Sequence, residues 1–446
     1  MTIEHDYQKR YTYIFVFFYL CEGFSQGIPY LLWPQYLAQI LGEHYNIPLW
    51  LVVYSIGNIP WSIKLIVGLF NDRWGSKKYG QRFPWILSFG AFGGIWWILM
   101  AFYLPTNDIY FWFAVYYFMT QLGMAFADTA LDGLILDVTP KKKLARVQGY
   151  TWTVMFLGYG AGGMLLGLIF LATNLIPLLF ILTGILMCIS SFLPYFVKES
   201  PLMKISAKAY GNDLLTIVTK KRNWKVFVYT FLAAIPAVMI ITFFMYVVLI
   251  AMGVIDVNST ILTIIGGGAV DLQIWNSLFY LVNGVGIVLG SPISGIFGDR
   301  SREKTLSYTF FTYIPFCLVL VLPFAFLTGD ILHLIFGLIF LLVMGAIQNA
   351  LTVVNQTIRG DLAKKYYPNL KSTYFALLVS LSNLGQNTGT IIGAGLFALF
   401  MLITTEFYII FYFVSLFCAV CLVVSYFIFT KIDPKDYELD RTITKN

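Results

Sequence analysis

Apolar residues along this chain do not alternate with polar ones; they run on without interruption. Stretches of roughly 20 or more apolar residues, enough to cross a bilayer as helices, are separated by short polar or Gly/Pro breaks. They predict spans near 12–41, 47–71, 84–104, 109–137, 147–171, 175–197, 224–252, 272–297, 305–327, 331–358, 372–400 and 406–430. Helices satisfy every backbone group internally, which hydrocarbon demands. The first run is too long for the apolar core of a signal peptide and is read as a span. The break at Thr173-Asn174 is the shortest.

Composition agrees. Of 446 residues, 59% are hydrophobic and 11% charged, with mean hydropathy +0.77. A soluble surface needs more charge than that, so the expected fold is an all-α membrane protein of twelve transmembrane helices. The net charge of +7 would also suit nucleic acid, but its distribution argues for a lipid bilayer and no nucleic-acid partner. One set of loops holds Glu43, Asp108, Asp256, Asp271, Asp330 and Glu406 and no Lys or Arg. The opposite set holds Lys77, Lys78, Lys141, Lys142, Lys143, Lys220, Lys221, Arg222, Lys364 and Lys365. The positive-inside rule then places both termini in the cytoplasm. Cys21, Cys188, Cys317, Cys418 and Cys421 lie inside apolar runs and read as small buried hydrophobes, so neither a disulfide framework, a metal site nor a cofactor is expected.

The longest polar stretch, 198–223, divides the spans six and six. The expected domains are a bundle at 1–197, a cytoplasmic linker at 198–223, a second bundle at 224–430 and a tail at 431–446. The halves echo one another. GLFNDRWGSKK begins at Gly68 and GIFGDRSREK at Gly295, 227 positions later, each after the second span of its half. Gly158 and Gly162 match Gly385 and Gly389 at the same offset, with a spacing that lets helix backbones approach closely. Asp137 and Asp361 end the fourth and tenth spans. Six is even, so both halves start on one side, and a pseudo-twofold axis would run along the membrane normal. That is a transporter layout, with the solute site expected between the halves near the midplane.

The doubled G-x-F-x-D-R turn, followed by basic residues, resembles the cytoplasmic signature of the major facilitator superfamily. The resemblance implies that Asp72, Arg73, Asp299 and Arg300, with Asp137 and Asp361, act as a conformational latch. The alternative is a turn that only caps helices and orients topology.

Ionisable groups inside spans are costly and mark function by default. This chain offers Glu22, Lys64, Asp128 and Asp132, all in the first half. At about 1.5 Å per residue, Glu22, Lys64 and Asp132 lie roughly 16, 12 and 13 Å from the polar cytoplasmic ends and can share one layer. Asp128 and Asp132, four apart, share a helix face. Such a cluster can load and release a proton; the competing readings are a static bridge from Lys64 to Asp132 or Glu22, and a sodium site at Asp128 and Asp132. The second half offers amides, of which Gln356 and Asn383 are taken as further solute or ion candidates. Trp33, Trp50, Trp96 and Trp97 are read as lipid-facing or interfacial.

EGFSQGIPY (22–30), IPWSIKLIVGLFNDR (59–73) and FADTALDGLILDVTP (126–140) look like the branch holding anhydromuropeptide permeases, acetyl-coenzyme A transporters and folate-biopterin transporters. Gly27, Pro29, Lys64, Asp128 and Asp132 are the matching positions. Tyr79-Gly-Gln-Arg-Phe-Pro-Trp85 resembles an element of sugar–cation symporters, with Gln81 where a basic residue is usual.

The function this implies is a secondary active transporter, proton-coupled and working by alternating access on a small anionic or amphoteric solute, monomeric and in the plasma membrane. A glycoside symporter coupled to H+ or Na+ is the alternative. A transport-dead sensor or scaffold would need none of the four intramembrane charges. His5, His44 and His333 are scattered, and no motif of a hydrolase, metalloenzyme or nucleotide-driven pump is present, so no enzymatic activity is expected.

Overall fold

The computed structural model describes residues 7–42, 47–199, 207–258, 261–264, 269–326, 329–404 and 406–438. The helices in chain order are α1 (Lys9–Gly27), α2 (Trp33–Leu41), α3 (Ile47–Ser62), α4 (Lys64–Asn71), α5 (Phe83–Phe102), α6 (Ile109–Val138), α7 (Lys141–Tyr159), α8 (Gly167–Ala172) and α9 (Ile176–Phe192). They continue with α10 (Ala207–Thr219), α11 (Lys221–Ala251), α12 (Ala269–Gly298), α13 (Arg302–Val319), α14 (Leu322–Phe326), α15 (Asp330–Tyr366), α16 (Lys371–Met401), α17 (Phe407–Phe429) and α18 (Pro434–Tyr437). Among the described residues, eleven helical stretches are long and apolar enough to cross a membrane. The twelfth expected span is α16, where Asn383, Gln386 and Asn387 dilute the apolar run. A short antiparallel hairpin, β1 (Ile255–Asn258) with β2 (Ile261–Ile264), follows α11.

Two compact units are present: Met1–Thr219 with Gln356–Ser380, and Lys220–Asn355 with Leu381–Asn446. The chain therefore passes from one to the other inside the stretch expected as a linker.

Helix breaks follow the residues that force them. Pro60 lies inside α3 and has no N–H to donate. Three residues on, Ile63 leaves the helical region at φ −104°, ψ 14°, and α4 restarts at Lys64. The first span likewise passes through a π turn, Ile28–Leu32, at Pro29, the wide turn absorbing an extra residue.

Close helix contacts fall where the glycine pairs predict them. A Cβ at Gly158 would sit 2.2 Å from the carbonyl oxygen of Leu20, so α7 rests on α1 backbone to backbone, and one at Gly162, in the π turn Gly160–Leu166 that follows α7, would sit 2.8 Å from the Phe24 ring. In the second unit a Cβ at Gly385 would meet the Phe231 carbonyl at 2.3 Å and one at Gly389 the Ile235 carbonyl at 2.2 Å, seating α16 on α11.

The tryptophan expectation is corrected. Trp33 and Trp97 are fully buried and Trp50 nearly so; Trp96 is half-buried. The Trp33 ring is packed by Trp97 at 5.6 Å, Phe113 at 5.1 Å, Tyr117 at 5.4 Å and Phe180 at 6.3 Å. Depth along a helix suggested an interfacial belt, but azimuth around it turns these rings into the core. All five cysteines are free thiols, four buried and Cys188 half-buried. Cys418 and Cys421 sit one turn apart on α17.

Gly158→Leu and Gly385→Leu are expected to abolish the monodisperse peak of detergent-extracted protein in size-exclusion chromatography. Gly284→Leu, where a Cβ meets nothing within 4 Å, should leave it unchanged.

Candidate functional site

Three elements of the first unit bring four intramembrane charges together. α1 carries Glu22, the restart after Ile63 presents Lys64, and α6 carries Asp128 and Asp132. They retain only 2%, 4%, 3% and 8% of their exposure respectively. Lys64 Nζ forms an ion pair with Asp128 Oδ2 and lies 4.3 Å from the centroid of the Trp61 ring. Asp132 Oδ1 accepts from the Tyr19 hydroxyl at 2.8 Å. Glu22 Oε1 accepts from Gln26 Nε2 at 2.8 Å, and its carboxyl lies near that of Asp128. Glu22 Oε2 and Asp128 Oδ1 are buried and have no hydrogen-bond partner among the described residues.

The predicted layer is thus assembled, with different pairings. Lys64 meets Asp128, in place of the Asp132 or Glu22 bridge that a static reading foresaw. Tyr19, which sequence reasoning passed over, holds Asp132; one tyrosine among 29 in an apolar run carries no distinguishing signal. Gln356 is buried on α15, its Oε1 without a hydrogen-bond partner among the described residues. Asn383 lies half-buried on α16 in the second unit, where it has interactions of its own.

A half-buried face leads away from Lys64. Trp61, Asn58 and Tyr54 follow one stripe of α3, and past Glu22 the first span continues with Gln26 on α1 and Tyr30 in the π turn. The Tyr30 ring lies 5.5 Å from Tyr54 and 5.7 Å from Tyr159 of α7. Asn58 Nδ2 donates to the Tyr117 hydroxyl at 3.3 Å. Behind them Trp61 Nε1 donates to Gln121 at 2.9 Å, and Gln121 donates to the Ser25 carbonyl at 2.9 Å.

A second charged network lies at the doubled turn. Asp72 ends α4 and accepts from the backbone amides of Ser372 at 3.3 Å and Thr373 at 2.6 Å, capping the start of α16. Its partner is Arg82, at 2.7 Å, which also reaches Asp137 at 2.9 Å and Asn71 Oδ1 at 2.7 Å. Lys371 pairs with the other oxygen of Asp137. Burial opposes the charge on Arg82, yet Asp137 and Asp72 beside it hold the guanidinium above the usual arginine value. Arg73, expected at this position, instead lies over the rings of Trp74 at 5.6 Å and Tyr210 at 5.5 Å. The loop folds back through a Ser76–Gly80 bridge, delivering Arg82 to the space beneath α4.

Glu199 completes this corner. Its carboxylate accepts from the amides of Gln81 at 2.6 Å, Arg82 at 2.9 Å and Phe83 at 2.9 Å, capping α5. Burial pushes the Glu199 carboxyl up, against the effect of those three donors. The second unit repeats the device. Arg302 lies 3.7 Å from Asp299 and donates to the Gly298 carbonyl at 2.5 Å. Glu438 accepts from Ser301 Oγ at 3.0 Å and from the amides of Arg302 at 3.2 Å and Glu303 at 2.9 Å. Arg300 lies 5.6 Å from the Phe297 ring, and Asp361 is buried on α15.

Residues 15–270 and 257–443 match the family model of the Major Facilitator Superfamily. The chain belongs to this superfamily. It is an integral, multi-pass membrane protein of a transporter family. Among solved structures, FucP in its outward conformation, described as a superfamily transporter, aligns with a TM-score of 0.66 at 13% identity over 95% of this chain and 99% of that one. An outward-facing bacterial homologue of the iron transporter ferroportin aligns at 0.65 and 14%, over the same shares. A further structure of FucP, described as the fucose:proton symporter of E. coli, aligns at 0.60 and 14%, covering 95% and 99%. These likenesses show the fold. In sequence, a protein of Arabidopsis thaliana named probable folate-biopterin transporter 4 is 27% identical over 154 residues, 33% of this chain and 30% of the relative's length.

Arg82→Ala is expected to cost roughly 3–5 kcal/mol, because buried Asp72 loses its counter-charge and Asp137 keeps only Lys371. Arg82→Lys should not restore it, since a point charge lacks the fork that reaches three acceptors. Arg73→Ala should cost under about 1 kcal/mol. Thermal unfolding of the purified variants in detergent checks all three.

Proposed function

We propose that this superfamily member is a proton-coupled secondary transporter for a small anionic or amphoteric solute, working by alternating access. The observation that carries the reading is the charge imbalance at the buried cluster. Three carboxyls face one ammonium, and two carboxylate oxygens, Glu22 Oε2 and Asp128 Oδ1, have no hydrogen-bond partner among the described residues. A single proton between Glu22 and Asp128 would satisfy both oxygens and reduce the uncompensated charge. Loss of that proton when water reaches the cluster would strengthen the hold of Asp128 on Lys64; its return would free Lys64 to meet a solute anion. Proton and anion would then load together.

The aromatic face beginning at Trp61 suits a solute whose acid group meets Lys64 while a flat ring lies against Trp61, Tyr54 and Tyr30. The relative's name makes folates and pterins the first solutes to test, and the description of FucP as a proton symporter supports the coupling. Half-buried aromatic rings also stack on sugars, which keeps a glycoside symporter as the second reading. Asp72, Arg82 and Asp137, gripping the start of α16, act as the cytoplasmic latch, with Asp299 and Arg302 as the counterpart in the second unit. Both termini lie in the cytoplasm.

Proteoliposomes with an imposed pH gradient test the proposal. Folates, pterins, muropeptides, acetyl-coenzyme A and glycosides are compared as solutes. Uptake of one of them should be driven by the gradient, and Asp128→Asn and Asp132→Asn should each lower that uptake by at least about tenfold, the loss expected for a buried charged hydrogen bond. Gradient-indifferent uptake that follows sodium would replace the proton with Na+ at Asp128 and Asp132. No uptake of any solute would favour a transport-dead role. Asp72→Asn should shift the inward/outward balance, read by labelling of cysteines placed at the outer helix ends, with little change in solute affinity.

A further inference from the structure

The second unit ends, at the side where the cations collect, in a surface that the transport reading does not use. The first turns of α11 expose Lys221, Trp224, Lys225 and Val228 on one face. Next to it, α17 exposes Leu416, Val420, Val423 and Phe427, and just past its end Lys431. Those spacings of four, three, four and four residues follow a single helix face. The two helices are joined at this end: Lys225 Nζ donates to the Lys431 carbonyl at 3.5 Å, and Lys431 Nζ lies 4.7 Å from the Phe427 ring. Trp224 is 54% and Phe427 62% exposed. The nearest acid in sequence, Asp433, turns its carboxylate to the start of α18, accepting from the Lys435 amide at 2.9 Å.

We propose that this surface holds one anionic phospholipid, its phosphate between Lys221, Lys225 and Lys431 and an acyl chain along the apolar stripe of α17. The chemistry is specific to a lipid. An exposed apolar strip along the second half of α17 leads directly into a group of cations, and Trp224 stands at the junction, where an indole with one apolar and one polar edge is most stable. A soluble phosphate would use the lysines but not the strip. A soluble protein partner would leave the strip unexplained. Lysine ammonium groups attract anionic headgroups by roughly a fivefold gain in binding for each charge near the surface.

The test uses the full-length protein purified in detergent, with bound lipids counted by native mass spectrometry while dioleoyl-phosphatidylglycerol or dioleoyl-phosphatidylcholine is titrated. One phosphatidylglycerol should be retained in preference to phosphatidylcholine. Lys221→Ser/Lys225→Ser/Lys431→Ser should weaken that retention by at least about tenfold, and Trp224→Ser should weaken retention of both lipids. The triple variant Lys77→Ser/Lys78→Ser/Lys142→Ser, which removes the same charge from exposed positions of the first unit, should leave the preferred lipid in place. Each variant is first shown to be monodisperse. Equal losses in the two triple variants would reduce the effect to bulk electrostatics and overturn the site, as would absence of any preference for phosphatidylglycerol. Displacement of the lipid by soluble glycerol phosphate would also overturn it, leaving an anion site without a lipid.

Discussion

The low dielectric of a bilayer leaves no buried charge without consequence. An ion pair inside it holds two helices together, while half of one destabilises both. Lys64 with Asp128 joins α4 to α6, and Tyr19 with Asp132 joins α1 to α6. Arg82 joins α5 to the ends of α4 and α6. The glycine contacts between α1 and α7 let Glu22 stand on a rigid helix at the depth of the cluster. The same constraint makes the cluster responsive, because a site with three carboxyls and one ammonium changes its balance with every proton gained or lost.

The two units reuse a small set of devices with different chemistry. In each, an arginine at the start of a helix reaches an aspartate earlier in the chain, ten residues back in the first unit and three in the second, and a glutamate from a distant segment caps the same helix start. In each, paired glycines seat one helix on another. The interiors differ. The first unit holds the acids and Lys64. In the second, Asn283 donates to the Leu341 carbonyl at 3.0 Å, Gln348 donates to the Tyr313 hydroxyl at 2.7 Å and to the Ala237 carbonyl at 3.1 Å, and Tyr229 donates to Asn355. Neutral amides used in this way tie helices together without titrating, so the units divide into one that carries charge chemistry and one that is held by fixed dipoles.

Sequence alone determined the spans, the doubled turn, the glycine pairs and the depth of Glu22, Lys64 and Asp132. Each of these depends on properties that are linear along the chain: apolar length, repeat offset and rise per residue. The tertiary structure decided what depends on direction around a helix and on the path of a loop. Azimuth buried Trp33 and Trp97, paired Lys64 with Asp128 and brought Tyr19 to Asp132. The fold-back at Gly80 put Arg82 where Arg73 was expected, and the chain beyond α9 returned Glu199 to cap α5. A charge written into a sequence states that a partner must exist, since hydrocarbon permits nothing else. Which partner it finds is a matter of which helix faces meet, and that is set by packing between residues far apart in the chain.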